Sequence, residues 1–320
     1  MRPEFPVETP VRPHLASLAA RLPSHPRTRF APSPTGHLHL GHVVNAIYVW
    51  GVARALGGRV VLRIEDHDRQ RARAEFEASI LEDLEWLGLE GDVESSHLAD
   101  SAGLASGGRV VRQRDRHTVY ERALEPLLSQ GLVYACECSR RQIEEAGGAA
   151  DELRYPGTCR SRDLPLEGRP LRVRLPDDEV VFEDALLGSQ HQEPARQCGD
   201  LLLRDRVGQW TYQFAVTVDD ADQEIDVVIR GTDLLPSTGR QILLARLLGR
   251  EQPPLFLHHP LIVGADGAKL SKSNGDAGIR ELRAAGATAA EVLGRAAARV
   301  GLIARERPLP ARDLGMLFAS

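Results

Sequence analysis

The sequence predicts an α/β protein in which a doubly wound parallel sheet is interrupted by a small insertion and followed by a short helical segment. Two patterns support this fold class. Apolar and β-branched runs that suit buried strands alternate with helical stretches in both halves of the chain, which is typical of a parallel sheet with helices on its faces. Between 136 and 206 this alternation gives way to short runs, a Gly/Ala loop and Pro- and Arg-rich turns, which predicts a small inserted α/β domain.

These patterns divide the chain into five segments. Its 320 residues suit about two domains, since a domain averages roughly 150 residues. The first segment holds six of the 20 prolines and allows at most one or two helical turns, around 14–22. The predicted segments are a Pro-rich arm at 1–28, the first half of the α/β domain at 29–135, the insertion at 136–206, the second half of the α/β domain at 207–276 and a helical segment at 277–320.

The elements of the first half follow from the spacing of apolar residues. A short strand runs into the stretch 32–36, PSPTG, whose two prolines and glycine predict a tight loop. The next stretch is apolar on nearly all sides, as a buried helix is, and two glycines end it. Apolar side chains at 76, 80, 84 and 87 mark an amphipathic helix. The predicted elements are strands at 28–31, 60–64 and 133–135 and helices at 43–56, 76–87 and 120–132.

The α/β rhythm resumes after the insertion. The predicted elements are a strand at 225–229, a helix at 240–248, a strand at 255–263 and an Ala/Arg/Leu-rich helix at 277–305.

Charge and cysteine content exclude several classes of protein. The chain has 40 Lys+Arg against 45 Asp+Glu, so its net charge of -5 excludes nucleic-acid binding through overall positive charge but not through a local basic face. One candidate face is 160–174, with five arginines against two acidic residues, although a solvated arginine surface explains it equally well. Four cysteines are too few for a disulfide scaffold. The arm lacks the continuous apolar core of a secretory signal, and we expect a cytoplasmic protein.

The lysines mark a candidate phosphate site. Only two of the 40 basic residues are lysines, and both Lys269 and Lys272 fall in the pentapeptide KLSKS at 269–273. A compact ammonium differs chemically from a planar guanidinium, so this site needs ammonium groups, against phosphate. A Walker-type P-loop is excluded, because neither lysine follows a glycine.

A histidine cluster is the second candidate phosphate site. His37, His39 and His42 lie in a Gly-containing loop at the predicted start of a helix, where phosphates can approach backbone amides and imidazoles can donate hydrogen bonds. Three histidines alone would be explained better by a polar loop. Their pairing with the lysine pentapeptide favours a phosphate site instead.

A third pattern, inside the insertion, is typical of a metal site. Cys136 and Cys138 are followed by Tyr155 and Cys159, and three thiolates with one oxygen could complete a tetrahedral Zn²⁺ site. The residues alone support only the three cysteines, and the alternative is a set of small buried residues with a core tyrosine. An irregular, loop-rich segment that would struggle to build its own core favours the metal. Cys198 lies 39 residues beyond Cys159, and we expect it to be unligated.

Several motifs resemble those of class I aminoacyl-tRNA synthetases. HLGH at 39–42 resembles their HIGH signature, and KLSKS resembles their KMSKS loop with Leu for Met. Five ordered segments, which span most of 29–276, resemble the glutamyl-tRNA synthetase family in particular. They are RFAPSPTGHLHLGH (29–42), RIEDHD (63–68), TYQFAVTVDD (211–220), VIRGTDLLPSTGRQILL (228–244) and HHPLIVGADGAKLSKS (258–273).

The resemblance narrows the expected activity. Only 47 residues follow Ser273, so the family's anticodon-binding domain is not expected. With the Cys/Tyr cluster, this resembles the glutamyl-queuosine tRNA(Asp) synthetases, which attach glutamate to a modified anticodon base. The resemblance implies a Rossmann-type catalytic domain, L-glutamate, ATP with Mg²⁺ and queuosine-containing tRNA(Asp) as substrates, and a monomer. It also implies ATP contacts from His39, His42 and Lys272, a supporting role of Lys269 in the mobile loop, and one structural zinc on Cys136, Cys138, Tyr155 and Cys159.

The resemblance further implies a glutamate pocket. Glutamate carries two carboxylates and one ammonium, so its pocket needs two cationic contacts and one anionic contact. Arg29, Arg230 and Glu65 lie at the ends of predicted strands and carry these charges. The pair Asp219-Asp220 could equally be a solvated turn and is left out of the pocket. The family pattern assigns glutamate binding to Arg29, Phe30, Ala31, Pro32, Ser33, Glu65, Tyr212 and Arg230.

Three alternatives remain open at this point. A truncated glutamyl-tRNA synthetase would charge the 3′ end of tRNA(Glu). A catalytically silent, synthetase-like RNA-binding protein is disfavoured, because it would have no need of lysines in so arginine-rich a chain. A small-molecule ligase of the pantothenate synthetase type would not explain the Arg29/Glu65/Arg230 charges or the Cys/Tyr insertion.

Overall fold

The computed structural model describes residues 12–92, 110–147, 153–262 and 278–319. The strands within these ranges are β1 (Arg27–Phe30), β2 (Arg59–Ile64), β3 (Val110–Arg112), β4 (Val133–Ala135), β5 (Leu171–Val173), β6 (Val180–Asp184), β7 (Gly188–Gln192), β8 (Leu201–Arg204), β9 (Val227–Gly231) and β10 (Leu255–His259). The α-helices are α1 (Leu15–Ala19), α2 (Leu40–Ala55), α3 (Ala74–Leu87), α4 (His117–Ser129), α5 (Arg140–Gly147), α6 (Pro194–Gln197), α7 (Tyr212–Asp222), α8 (Thr238–Leu247), α9 (Ile279–Ala284) and α10 (Ala289–Arg299).

Seven of these strands form the main sheet, in the order β3-β2-β1-β9-β10-β6-β7. The first six are parallel, and β7 pairs antiparallel with β6 at one edge. The strand order reverses between β1 and β9, since β2 and β3 extend the sheet on one side of this pair and β10 on the other. Open α/β sheets bind ligands at such a switch point, beyond the carboxyl ends of the strands.

Helices cover both faces of the main sheet, as a doubly wound fold requires. Successive residues of the strands enter two different apolar clusters: Val60 and Leu62 belong to one, and Val61 belongs to the other. The first cluster includes residues of α2, α3 and α10, and the second includes residues of α4, α7 and α8. Strands buried on both faces account for the continuous apolar runs in the sequence.

A second, three-stranded antiparallel sheet has the order β4-β5-β8. Its last two strands lie within the predicted insertion at 136–206, but so does the hairpin β6–β7, which extends the main sheet. The residues of this range that lie apart from the main sheet are therefore those of the small sheet and those around the cysteines. The boundaries of an inserted domain remain a prediction.

The predicted elements match the structure except at a few boundaries. The strand expected at 255–263 ends at His259, and the strand expected at 225–229 is displaced to 227–231. The single helix expected at 277–305 is wrong, because α9 and α10 are separate. Gly286 lies between them with a positive φ of 86°, which a continuous helix cannot accommodate.

The described part of the Pro-rich arm packs on the main domain. It contains only one short helix, α1, as the proline content predicts. Leu15 and Leu18 of this helix join the first apolar cluster, and the guanidinium of Arg12 donates a hydrogen bond of 2.6 Å to the carbonyl of Leu302. None of the helices in the described ranges combines the length and apolar character that crossing a bilayer requires.

Candidate active site

Three predicted glutamate contacts lie at the carboxyl ends of neighbouring strands beside the switch point. Arg29 is the penultimate residue of β1, Glu65 follows β2 directly, and Arg230 is the penultimate residue of β9. Their exposed fractions are only 4%, 7% and 3%. Buried charges are costly unless they are paired, so this concentration of charge requires a network of partners.

Asp220 on α7 is the centre of that network. Its Oδ1 lies 3.3 Å from Nε of Arg29 and 2.9 Å from Nη2 of Arg63. The same Nη2 lies 3.2 Å from Oε1 of Glu65, so the network ties Arg29 to Glu65 across β1 and β2. Arg63, the penultimate residue of β2, is fully buried, and sequence reasoning missed its role.

The expectation that Asp219-Asp220 form a solvated turn is wrong. Both residues lie on α7 and are buried. Asp219 pairs with Nε of Arg116 at 2.7 Å and accepts a hydrogen bond of 3.0 Å from the hydroxyl of Tyr120. The amphipathic pattern of α7 is obscured in the sequence because its buried face carries two carboxylates whose partners come from distant parts of the chain.

The two carboxylates nearest Arg29 respond differently to burial. Burial raises the pKa of Glu65 above its usual range, although the guanidinium groups of Arg63 and Arg29 oppose this effect. Burial acts on Asp220 in the same direction, but Arg29 and Arg63 outweigh it and hold the pKa of Asp220 below its usual range. Asp220 is therefore the fixed counter-charge, whereas a cationic ligand group beside Glu65 would stabilise its ionised form.

Tyr212, the first residue of α7, completes the set of predicted pocket side chains. Its hydroxyl lies close enough to Arg230 for the two groups to interact electrostatically. Burial, and then the charge of Glu65, raise the pKa of Tyr212, which keeps the phenol protonated. The structure thus brings Arg29, Glu65, Tyr212 and Arg230 together.

Arg230 is held by a buried cradle that sequence reasoning did not predict. Its Nε donates to Nε2 of His258 at 3.0 Å, its Nη1 to Gln241 at 2.7 Å and its Nη2 to Thr238 at 2.8 Å. Nδ1 of His258 lies 2.6 Å from Oδ2 of Asp184, so Nδ1 carries the proton and Nε2 accepts. Burial lowers the pKa of His258, which favours this neutral form.

The residues of the loop after β1 contribute in another way. The Phe30 side chain belongs to the core, where its ring centroid lies 5.1 Å from that of Trp50. The carbonyl of Pro32 accepts a 3.0 Å hydrogen bond from the backbone N–H of Glu65, which fixes the loop against the end of β2. Phe30 and Pro32 therefore shape the pocket through their backbone, while Ala31 is half-buried and Ser33 is exposed.

The HLGH motif forms the start of α2. Nδ1 of His39 accepts from the backbone N–H of Gly41 at 3.1 Å, and Nδ1 of His42 accepts from the backbone N–H of His39 at 3.1 Å. The two rings are 4.0 Å apart. A side chain at Gly41 would lie 2.8 Å from the His39 ring, which explains the glycine. Two imidazoles at the positive end of a 16-residue helix suit a phosphate group.

The lysine pentapeptide, with Lys269 and Lys272, lies outside the described residues. The chain is described again from Gly278, which pairs with His39 in an isolated antiparallel bridge. The backbone N–H of Ile279 donates to the carbonyl of Leu38 at 3.0 Å. The described chain therefore resumes, at Gly278, beside the histidines of the HLGH motif.

The predicted metal ligands converge. The Sγ atoms of Cys136, Cys138 and Cys159 all lie within 4.8 Å of one another. The hydroxyl of Tyr155 accepts from the backbone N–H of Cys159 at 2.8 Å and lies 3.5 Å from Sγ of Cys136. Burial and the hydrogen bond with Cys159 raise the pKa of Cys138 to about 11. Burial also opposes ionisation of Cys159, but a backbone hydrogen bond from Glu137 and the neighbouring side chains lower its pKa to about 7, so Cys159 has the more thiolate character of the two. This donor set fits a tetrahedral metal ion.

Cys198 is not part of this cluster of sulfur atoms. Its Sγ lies 3.1 Å from the carbonyl of Pro194. Its own carbonyl accepts from the backbone N–H of Tyr155 at 2.9 Å, so its contribution to the site is through the backbone.

The fold, the HLGH motif and the charged pocket together match a known catalytic domain. A family model described as the catalytic domain of class I tRNA synthetases (E and Q) matches residues 26–307. The chain belongs to this class I synthetase family. The family assignment confirms the class I catalytic domain with a mostly parallel α/β sheet that the sequence predicts.

The chain is also similar to individual proteins of this family. A glutamyl-Q tRNA(Asp) synthetase of Nitratidesulfovibrio vulgaris is 40% identical over 305 residues, which cover 91% of each chain. Another of Pseudomonas fluorescens is 43% identical over 245 residues, 77% of this chain and 75% of the relative. A crystal structure of a glutamate tRNA ligase from Elizabethkingia meningosepticum, in complex with its amino acid, has a TM-score of 0.66 and 34% identity over 78% of this chain. The chain spans about half of that ligase, 52%.

Proposed function

We propose that this synthetase activates L-glutamate with ATP to glutamyl-adenylate and transfers the glutamate to the queuosine base of tRNA(Asp). The observation that carries the proposal is the near full-length match to relatives with the name glutamyl-Q tRNA(Asp) synthetase. Glutamate–tRNA ligases are about as similar, but the chain covers only 52% of their length. The names of the relatives matched over most of their length therefore favour queuosine over the 3′ end of tRNA(Glu) as the acceptor.

The charges at the switch point support glutamate as the amino acid. Arg29 and Arg230 can each meet a carboxylate, and Glu65 can meet the ammonium group. The side chains are buried and held before the substrate arrives, so little ordering is needed on binding. Arg230 is held by three hydrogen bonds from its N–H groups to the cradle. Its remaining N–H groups can address a carboxylate.

The reaction needs positioning and charge stabilisation, and no protein nucleophile. The α-carboxylate of glutamate attacks the α-phosphorus of ATP, and pyrophosphate leaves with the electrons of the broken P–O bond. His39 and His42 at the start of α2 would contact ATP, Lys272 would stabilise charge as it develops at the α-phosphate, and Lys269 would support the loop that carries both lysines. Mg²⁺ would accompany the nucleotide and neutralise its phosphates without a dedicated protein cage.

Zinc is proposed as a structural ion on Cys136, Cys138, Tyr155 and Cys159. The three sulfur atoms and the phenol oxygen already converge, and four protein ligands leave no coordination position for a reacting water. The ion would hold the irregular stretch after β4 against the small sheet, where few apolar side chains are available.

The activation step can be tested by amino-acid-dependent ATP–pyrophosphate exchange, with and without tRNA. Exchange with glutamate should exceed exchange with glutamine or aspartate by at least about 100-fold, because either analogue leaves a buried charge without its partner. The acceptor is tested with tRNA pools that contain or lack queuosine. Labelled glutamate should be retained only by the pool that contains queuosine. Pyrophosphate exchange with glutamine at a rate comparable to that with glutamate would contradict the proposed glutamate pocket.

A further inference from the structure

A chain of hydrogen bonds fixes the tautomer of His67, which lies in the RIEDHD motif. The buried carboxylate of Asp219 accepts from Nε2 of Gln113 at 2.7 Å. A carboxylate paired with an arginine only accepts, so the amide of Gln113 turns its NH₂ group towards Asp219 and its oxygen towards His67. That oxygen lies 2.7 Å from Nδ1 of His67. Nδ1 must therefore carry the proton, and Nε2 presents a lone pair.

The other ring nitrogen of His67 is available to a ligand. Over the ranges that the structure describes, Nε2 of His67 has no hydrogen-bond partner. His117 on the same cavity wall differs, because its Nδ1 accepts from Trp210 at 2.9 Å and its Nε2 lies 3.1 Å from Glu121. His67 is thus the histidine of this wall whose lone pair is both oriented and unused.

His67 lines a cavity of about 330 Å³ that opens beside the glutamate pocket. The cavity wall also contains Arg69 and Arg114, and Trp210 closes it at the hairpin after β8. The His67 ring centroid lies 6.2 Å from that of Tyr212, and His67 is close enough to Glu65 to act on its pKa. A group bound in the cavity therefore reaches the edge of the pocket that would hold the activated glutamate.

From this geometry we propose that the cavity receives the nucleoside that accepts glutamate and that His67 is the general base of the transfer step. The proposal rests on the proposed function. The hydroxyl oxygen of the nucleoside attacks the carbonyl carbon of glutamyl-adenylate and forms the ester C–O bond. The bond between that carbon and the phosphate oxygen breaks, AMP leaves with the electron pair, and the hydroxyl proton moves to Nε2 of His67 and then to solvent.

The cavity has the chemistry that an RNA nucleoside requires. Arg69 at its wall can meet a phosphate that flanks the nucleoside, whereas Arg114 is already paired with Asp66 and Glu77. The cavity volume suits one nucleoside without its neighbours. Gln113, which is only 1% exposed, forms part of the cavity floor. Its amide oxygen holds the imidazole of His67 in the tautomer whose Nε2 can accept a proton. No role in the activation step follows from this arrangement, because the α-carboxylate of glutamate has no proton to lose.

The test compares the two half-reactions in His67→Gln and His67→Ala. Transfer is measured in a single turnover from preformed glutamyl-adenylate to queuosine-containing tRNA, and activation is measured by glutamate-dependent pyrophosphate exchange. Both variants should lose about 100-fold or more in the transfer rate, the size of effect that general bases provide, with exchange within about threefold of the unaltered protein. Added imidazole should restore transfer in His67→Ala but not in His67→Gln, whose side chain fills the space.

The matched control is His191→Ala, at an exposed histidine on β7 whose side chain hydrogen-bonds only with Glu179 among the described residues. Its transfer rate should equal that of the unaltered protein. Transfer at the unaltered rate by both His67 variants would overturn this proposal alone. Equal losses in exchange and transfer, without imidazole rescue, would show a merely structural histidine. If the unaltered protein transfers nothing to tRNA, the proposed function fails and this proposal fails with it.

Discussion

Arg230 is the residue on which selection of a glutamate carboxylate depends most. We expect Arg230→Lys to raise the KM for glutamate by about 10- to 100-fold, because an ammonium cannot keep the three cradle hydrogen bonds and also address a carboxylate with two N–H groups. Pyrophosphate exchange measures this effect, and the KM for ATP should change by less than about threefold. Arg246→Lys, an exposed arginine of the same helix that supplies Gln241, is the control.

The raised pKa of Glu65 should make the KM for glutamate depend on pH. Burial raises the pKa of Glu65, so the carboxylate that meets the glutamate ammonium is present at high pH and is lost as the pH falls through this raised pKa. The KM for glutamate should therefore rise as the pH is lowered, already above the range of an ordinary glutamate. Glu65→Gln should raise the KM at every pH and remove this dependence. A variant that keeps the dependence would assign it to another group.

The sequence predicts some pocket residues and conceals others for a physical reason. Arg29, Glu65 and Arg230 are found because each ends a recognisable strand. Arg63 has the same penultimate position in β2, but its role becomes visible only when Asp220 is known to face it. The partners His258 and Asp184 are 74 residues apart in the chain and meet only because β6 and β10 are neighbours in the sheet.

At the level of elements, local periodicity predicts most helices and strands of the main domain. The apolar runs of β2 and α2 are long and flanked by turn residues, so their predicted bounds differ from the structure by only a few residues. Strand β3, helix α7 and the hairpin β6–β7 are not among the predicted elements. The strands of the hairpin show alternating burial or exposure rather than the continuous apolar run of a parallel strand. Its attachment to the main sheet is a matter of tertiary contact, which the irregular sequence around it does not indicate.

Gly199 links the small sheet to the predicted metal site and offers a test of it. Its φ is 69°, and a Cβ there would lie 2.1 Å from the carbonyl oxygen of Tyr155. We expect Gly199→Ala to displace Tyr155 and lower bound zinc below the one ion per chain proposed for the unaltered protein. Metal analysis by mass spectrometry gives the stoichiometry.

Gly208→Ala is the matched control for this substitution. Its φ is 82°, so the backbone strain is similar, but no atom lies within 4 Å of a Cβ at that position. It should cost roughly 1 kcal/mol of stability and keep the zinc. Absence of zinc from the unaltered protein would show that the cluster of three cysteines and one tyrosine is not a zinc site.

At the scale of the whole molecule, the topology explains how residues from separate parts of the chain form one site. The crossover from β1 to β2 and the later return to β9 place Arg29, Glu65 and Arg230 side by side at the carboxyl ends of these strands. The bridge between Gly278 and His39 then places the start of the following described segment beside the start of α2. Sequence motifs identify these parts, and only the strand order brings them into one pocket.

The most direct test of the account is to locate glutamate on the tRNA. Queuosine-containing tRNA(Asp) is incubated with the protein, ATP and labelled glutamate, then split into its anticodon fragment and its 3′-terminal nucleotide. We expect the label to stay with the anticodon fragment that carries queuosine. Removal of the 3′ nucleotide should release no labelled glutamate. Label released with the 3′ nucleotide, from tRNA(Asp) or from tRNA(Glu) tested in parallel, would contradict this expectation.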